Sequence, residues 1–296
     1  MASASSATGV LPVVANRRNT VRWSRRIFSA AGWGATGGAL LLLTGMMLSI
    51  LGTVLVKGFS ALSPSLFVTV TQGTGGGLLN AIEGTAVLSF GAMLLAVPIG
   101  VMAGIYVSEY RATRWASIIR FLSDVLVGVP SIVMGYFGYV TMVEWLGWDF
   151  SVAAASIVLA MMSIPYICRT TELALRQVSN DLREAAYALG SNERQVILRI
   201  CVPAAAPGIL TGALLALAIS VGETAPLIYT AGWSSYLWDG RLTHSPIGYL
   251  TYVIWTFINE PFAAANALAY AAALLVTLFV LVINLVARLA LGEHRA

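Results

Sequence analysis

The chain has 296 residues, 58% of them hydrophobic and only 10% charged, against roughly 45–50% apolar and about 25% charged in ordinary soluble domains. A globular protein needs charge to cover its surface, whereas a helical bundle in a bilayer exposes Leu, Val and Ala and satisfies its backbone inside helices. A soluble fold is therefore excluded, and the formal net charge of +4 lies in scattered arginine clusters between apolar runs, a placement that does not suit nucleic acid.

Lys57 is the sole lysine. A phosphate-binding P-loop needs Gly-Lys-Ser/Thr between a strand and a helix, so if ATP drives this protein another chain binds it. Cys168 and Cys201 are isolated and form neither a disulfide framework nor a metal site. His244 sits in a loop and His294 in the C-terminal tail, which leaves no histidines for a metal centre inside the membrane. No cofactor is expected on this chain, and no nucleophile and base pair suggests an enzyme.

In chain order, residues 1–32 read as a basic tail on the cytoplasmic side, Ser/Ala-rich at its start. The first apolar run, Trp33–Val56, is too long for a signal-peptide core and lacks a cleavage site, so it should remain as an anchor. Gly73-Thr74-Gly75-Gly76-Gly77 reads as a flexible outer loop, with a backbone cradle for an anion as the alternative. Further candidate spans are Thr85–Val107, Phe121–Val143, Ser151–Cys168, Pro207–Ala231 and Ala267–Leu291, six in all. Asp124, near the inner end of the third span, has Arg120 one turn earlier on the same face as a pairing partner. Pro98, Pro130 and Pro165 sit in or at the ends of spans, where kinks are tolerated.

Basic residues in short loops stay on the cytoplasmic side. Fifteen of the seventeen basic side chains fall on one side of this six-span layout, and only Lys57 and Arg241 fall on the other. Both termini are thereby predicted to be cytoplasmic.

The inner loop Arg169–Pro207 is long and amphipathic, so it should be helical and docked on something. Asp181 and Glu184 have capping-box spacing, which predicts a helix start there. The helix should stop at Gly190, which tolerates the left-handed conformation of a helix end. Asn192 and Gln195 can cap a second helix running to Pro203. Two short helices meeting at a glycine form a knob that could enter a groove on another protein, and a re-entrant or interfacial hairpin is the ordinary alternative.

Glu184-Ala185-Ala186, three residues, Gly190, nine residues, then Ile200 and Pro203 reproduce the EAA motif of permease subunits of ATP-binding-cassette (ABC) importers, with Val202 in place of the usual Leu. The chain resembles that family. The resemblance implies a type I importer permease fold, in which residues from about Asp181 to Pro203 form a coupling helix docked on a cytoplasmic ATPase.

In the fifth span Gly222-Glu223-Thr224-Ala225-Pro226 interrupts an apolar helix. Glu223 lies roughly 24 Å beyond Pro207 along the axis. A carboxylate at that depth costs about 2.5–3.5 kcal/mol on insertion scales, so it should face the bundle interior or a pathway; holding two helices together is the alternative role. Pro226 frees the carbonyl of Gly222. The segments Gly77–Thr85, Val97–Tyr110, Gly128–Gly138, Arg169–Leu175 and Gly222–Ala231 are similar to the phosphate-importing branch of the family. Many of those relatives carry an Arg one turn before Gly-Glu-Thr, where this chain has Ile219 and Ser220, so Glu223 would need a partner from another helix or another chain. A carboxylate repels phosphate, so Glu223, with Thr224 and Pro226, is expected to organise or gate the pathway and not to ligate the anion.

The resemblance implies an all-α integral membrane protein, with residues 77–291 as the importer transmembrane domain and a coupling loop at 169–207. It implies import of inorganic phosphate across the bacterial plasma membrane. It also implies a second, paralogous permease chain, two copies of an ATPase carrying ATP and magnesium, and an external phosphate-binding protein. The alternatives are another oxyanion (molybdate, sulfate, phosphonate), or a self-contained secondary carrier or channel, for which the scarcity of intramembrane charge leaves little means of ion coupling.

Overall fold

The computed structural model describes the backbone from Trp23 to Gly292 and side chains from Phe28 to Leu289; the tail ahead of Trp23, with the basic cluster Arg17, Arg18 and Arg22, lies outside the described residues, as do His294 and Arg295. The chain divides after Gly52. Helix α1, Trp23–Ala61, begins ten residues before the expected span. Its described side chains up to Gly52 are almost all exposed, with Leu40 to Leu43, Met46 and Met47 between 59% and 75% accessible, a surface fit only for lipid or another apolar helix.

From Thr53 on, the chain forms one helical body. Its further elements are α2 (Leu79–Glu109), α3 (Arg114–Gly128), α4 (Ser131–Gly138), α5 (Val152–Arg176), α6 (Asn180–Ala188), α7 (Glu193–Gln195), α8 (Val202–Gly222), α9 (Ala225–Thr230), α10 (Leu250–Phe257) and α11 (Ala263–Gly292). Among the described residues five helices are long and apolar enough to cross a membrane, and α3 with α4 and its continuation make a sixth, broken crossing.

Helix α5 is the most buried of these crossings. In lipid, helices associate through close packing of small residues and not through a hydrophobic force between them, and α5 is gripped that way on two sides. A Cβ at Gly100 of α2 would stand 2.7 Å from Ile167 Cβ, and one at Gly104 would stand 2.5 Å from Thr171 Cβ and 2.7 Å from the Cys168 carbonyl. On the other side Gly208 and Gly212 of α8 meet Ala174 and Thr170.

Several boundaries depart from the sequence reading. The third span is not continuous: α3 and the helix after it meet at 101°. Pro130 disfavours the helical region for the residue before it, and Val129 is extended, with φ −76° and ψ 127°. Helix α5 does not stop at Cys168 but continues to Arg176, because Glu172 pairs along its own helix with Arg169 and Arg176. Pro203 does not end the second loop helix. A π-helical stretch, Val196–Cys201, precedes it, and the wider turn accommodates the proline ring so that Glu193–Gly222 runs as one span. Pro98 and Pro165 lie within unbroken helices.

The ends opposite the 169–207 loop are tied down. The glycine segment expected to be flexible forms a tight hairpin, Thr71–Gln72 paired with Gly75–Gly76, with Gly73 and Gly76 at φ +56° and +86°. Thr71 donates from its amide and its hydroxyl to Asn80 Oδ1, both at 3.0 Å. Asn80 in turn donates to the Ser234 carbonyl at 2.9 Å, and Leu250 N–H donates to Thr85 Oγ1 at 2.9 Å. Helix α10 was not foreseen.

Gly104→Ala should destabilise the protein by about 1–3 kcal/mol, because one of the atoms a methyl group would meet is a backbone carbonyl that cannot step aside. Gly45→Ala in α1, where nothing lies within 4 Å, is the control. Denaturant titration in detergent that finds the two variants equally stable would contradict the close α2–α5 approach.

Candidate functional site

The residues singled out by sequence fall at the two ends of α8. At its N-terminal foot, α6 carries the EAA residues. Glu184 and Ala185 are exposed, while Ala186 is buried against Val196, Cys201 and Leu175. Gly190 takes φ +82°, which reverses the chain, and Asn192 with Gln195 forms the expected capping box: Gln195 N–H donates to Asn192 Oδ1 and Asn192 N–H to Gln195 Oε1, each at 2.9 Å. Ile200 packs on the same cluster, and Pro203 is the second residue of α8. The Asp181–Glu184 capping box does not form. Helix α6 already begins at Asn180 behind Ser179, which makes no side-chain cap, so Asp181 falls inside the first turn and Glu184 is left free to face outward.

What fixes this loop is an ion pair that the sequence reading missed. Arg183 donates to both oxygens of Glu109, at the end of α2, at 2.6 and 3.0 Å, and to the Leu175 carbonyl at 3.2 Å. Arg183 and Glu109 side chains are only 20% and 11% exposed. Fork geometry and partial burial make this a strong charge-assisted pair, and the hydrogen bonds to Glu109 hold the guanidinium above its ordinary pKa. The Glu193 carboxylate pushes the Tyr110 phenol up by its charge and a side-chain hydrogen bond, a second link between the end of α2 and the loop. With its back so held, the loop presents Leu182, Tyr187 and Leu189 outward, Leu189 at 88% exposure.

Beside this loop lies a second cluster. Glu172 is 1% exposed and accepts from Arg176 Nη2 at 2.6 Å, Arg120 Nε at 3.1 Å and Arg169 Nη1 at 3.2 Å. Arg120 also donates to the Val107 carbonyl at 2.9 Å. The expected Arg120–Asp124 pair is therefore absent, because the buried carboxylate on α5 outcompetes the exposed one a turn away. The flanking Arg169 and Arg176 at i−3 and i+4 were a readable sign; Arg120, on another helix, was not.

At the far end of α8 the helix breaks as the sequence suggested. Glu223 is extended, with φ −70° and ψ 136°, and α9 restarts with Pro226 in its first turn. Threonine hydroxyls back the break on both sides: Thr251 Oγ1 donates to Glu223 O at 2.7 Å and Thr230 Oγ1 to Pro226 O at 2.9 Å. A Cβ at Gly135 of α4 would stand 2.5 Å from Pro226 Cα, so the broken third span packs directly on the broken fifth. The Glu223 side chain is half-buried and has no ion pair among the described residues. Ser220 and Tyr249, both buried and without a hydrogen-bonding partner among the described residues, line one small cavity with Thr85, Ser89 and Thr251 beside the break.

The family described as "binding-protein-dependent transport system inner membrane component" matches residues 96–291. The chain belongs to this family. Within it the permease falls among the PstA proteins: it is 46% identical to "Phosphate transport system permease protein PstA 2" of Mycobacterium bovis, over 97% of this chain and 95% of that one. It is also 46% identical to the PstA of Haemophilus influenzae, over 81% and 85% of the two chains. Among solved structures, the permease superimposes on an inward-facing MetNI methionine ABC transporter with TM-score 0.58 and 19% identity, over 73% of this chain and 94% of that one. A bacterial alginate ABC transporter complex gives TM-score 0.58 and 16% identity, over 88% and 96%. The fold is that of the type I ABC importer permeases.

Arg183→Ala should cost about 2–3 kcal/mol by leaving Glu109 without its partner and should release the loop. Hydrogen exchange across residues 180–195 is expected to quicken, and the Arg183→Glu, Glu109→Arg double swap to restore part of the protection. Unchanged exchange in Arg183→Ala would remove this pair as the loop's anchor.

Proposed function

We propose that this permease subunit imports inorganic phosphate, with both termini cytoplasmic in a bacterial inner membrane. It would pair with a second, PstC-like permease chain, be driven by two PstB-like ATPase subunits that carry the ATP and magnesium, and be loaded by a PstS-like external binding protein. The observation that carries the reading is the apolar knob Leu182, Tyr187 and Leu189 at the foot of α8, fastened from behind by Arg183 and Glu109. Exposed apolar side chains in an otherwise arginine-rich loop fit a protein groove, and an ATPase is the partner whose cycle such a knob would read. The cargo rests on the PstA relatives, whose printed names specify phosphate.

Mechanistically, α8 is a 21-residue rod, roughly 30 Å long, with the ATPase contact at one end and Glu223 at the other. A push on the knob would move the rod as a unit and strain its weakest joint, the non-helical pair Glu223–Thr224. Glu223 repels phosphate, so its role is to set the closed or open state of the pathway by pairing with an arginine of the second permease chain, since the described residues here offer none.

Phosphate uptake into proteoliposomes holding the four components tests this. Leu189→Asp should lower ATP-dependent uptake at least about tenfold, the cost of placing a charge in an apolar groove, while the subunits still co-purify through the membrane. Glu223→Gln should abolish uptake and leave both assembly and ATPase binding intact. ATP-independent uptake by this chain alone would favour the carrier or channel, and competition by molybdate or sulfate at equal concentration would favour another oxyanion.

A further inference from the structure

Helices α3 and α5 enclose a cleft of about 280 Å³ that the transport reading does not use. Arg120, Ser123, Asp124 and Val127 line it from α3, at i, i+3, i+4 and i+7, and Tyr166 and Arg169 face them from α5. Its charges are unevenly matched. Three guanidiniums share the single Glu172 carboxylate, and Arg169, with a side chain 60% exposed, spends one N–H there out of the five that a guanidinium carries. Across the cleft Asp124 is exposed and has neither a hydrogen bond nor an ion pair among the described residues. Arg169 on α5 thus keeps N–H donors to spare, and Asp124 on α3, although Arg120 shares its helix, keeps an unmatched carboxylate. Next to Asp124 the surface is apolar: Phe121, Val125 and Val127 are 66%, 45% and 51% exposed, the side chains of a helix that lies along lipid at a membrane boundary.

We infer that the cleft holds the headgroup of an aminophospholipid such as phosphatidylethanolamine, its phosphate on Arg169 with Arg120 behind it and its ammonium on Asp124. Such a headgroup carries both a phosphate for the spare donors of Arg169 and an ammonium for the Asp124 carboxylate, and the acyl chains lie along Phe121, Val125 and Val127. Inorganic phosphate offers the same anion to Arg169 but is repelled by Asp124 and has no use for the apolar flank. An anionic lipid such as phosphatidylglycerol satisfies Arg169 and leaves Asp124 unpaired. The inference rests on the arginine-rich face being the inner boundary of the membrane, where such lipids lie, and is separable from the identity of the cargo.

Native mass spectrometry of the full-length protein in its purified complex, taken from nanodiscs of equal phosphatidylethanolamine and phosphatidylglycerol, reads the site. The wild type is expected to retain phosphatidylethanolamine about fivefold over phosphatidylglycerol, the weight of one partly exposed ion pair. Asp124→Asn, isosteric and without a native partner to lose, should bring the ratio to near parity. Arg169→Gln should lose the retained lipid, and Arg169→Lys should keep it. A wild-type ratio near one, or a preference that survives Asp124→Asn, overturns the inference. So does millimolar inorganic phosphate that displaces the lipid from wild type but not from Arg169→Gln, which would make the cleft a station for the free anion.

Discussion

Everything in the helical body hangs from α5. In a bilayer the lipid tails are as apolar as leucine, so no hydrophobic force drives one helix onto another, and what remains is close packing and polar contact. Helix α5 uses both. Gly100 and Gly104 of α2 admit Ile167 and Thr171, and Gly208 and Gly212 of α8 admit Ala174 and Thr170, so three crossings share one axis at near-contact distance. At the inner end the Glu172 carboxylate gathers Arg120 from α3 and Arg169 and Arg176 from α5 itself. A carboxylate that is 1% exposed is costly without partners; with three guanidiniums it pins the first half of the broken third span and prolongs α5 two turns beyond the apolar run.

That dependence explains which parts of the architecture were legible in the sequence. Apolar runs place all six crossings because membrane insertion is a property of the run itself, and the bent third one differs only because Val129 precedes Pro130. Local chemistry was equally readable: the Asn192–Gln195 box, the reversal at Gly190 and the break at Glu223 each depend on residues within four positions. Features that need a partner from elsewhere were not. Arg183 and Glu109 are 74 positions apart, and nothing near either residue announces the other. Arg120 has a plausible local partner in Asp124, and only the fold reveals that Glu172 takes its place. Asp181–Glu184 had the right spacing for a cap, but the helix starts two residues earlier, with Ser179 at the cap position and Asn180 its first residue. The EAA residues were found as a motif, yet their spacing says nothing of what stiffens the loop from behind.

The acidic side chains show how the protein separates structure from motion. Glu109 and Glu172 are paired and tucked away from solvent, and both serve the end of the molecule where the loop is held. Glu223 is half-buried and unpaired among the described residues, and it stands between two helices, near a serine and a tyrosine hydroxyl that have no hydrogen-bonding partner among those residues. With strong pairs at one end and none at Glu223, the proposed mechanism makes Glu223–Thr224 the joint that changes state.

On the proposed mechanism, transmission along α8 needs this asymmetry. A signal passes between distant sites when an element with two arrangements is biased from both ends, and a force applied to a loose loop would be absorbed before it reached the membrane. The bidentate Arg183–Glu109 pair prevents that loss by tying α6 to α2, so that displacement of the knob must move the foot of α8 against α5. The glycine seam at Gly208 and Gly212 lets α8 lie close to α5 without interlocking bulky side chains, which favours sliding or rolling over bending. The displacement would then be delivered to Glu223–Thr224, where the helix is interrupted and where α9, seated on Gly135 of α4, couples the fifth crossing to the third. Stiffness at the foot and softness at the break are thus one requirement, and a permease with a second tight ion pair at Glu223 inside its own chain would hold the pathway in a single state.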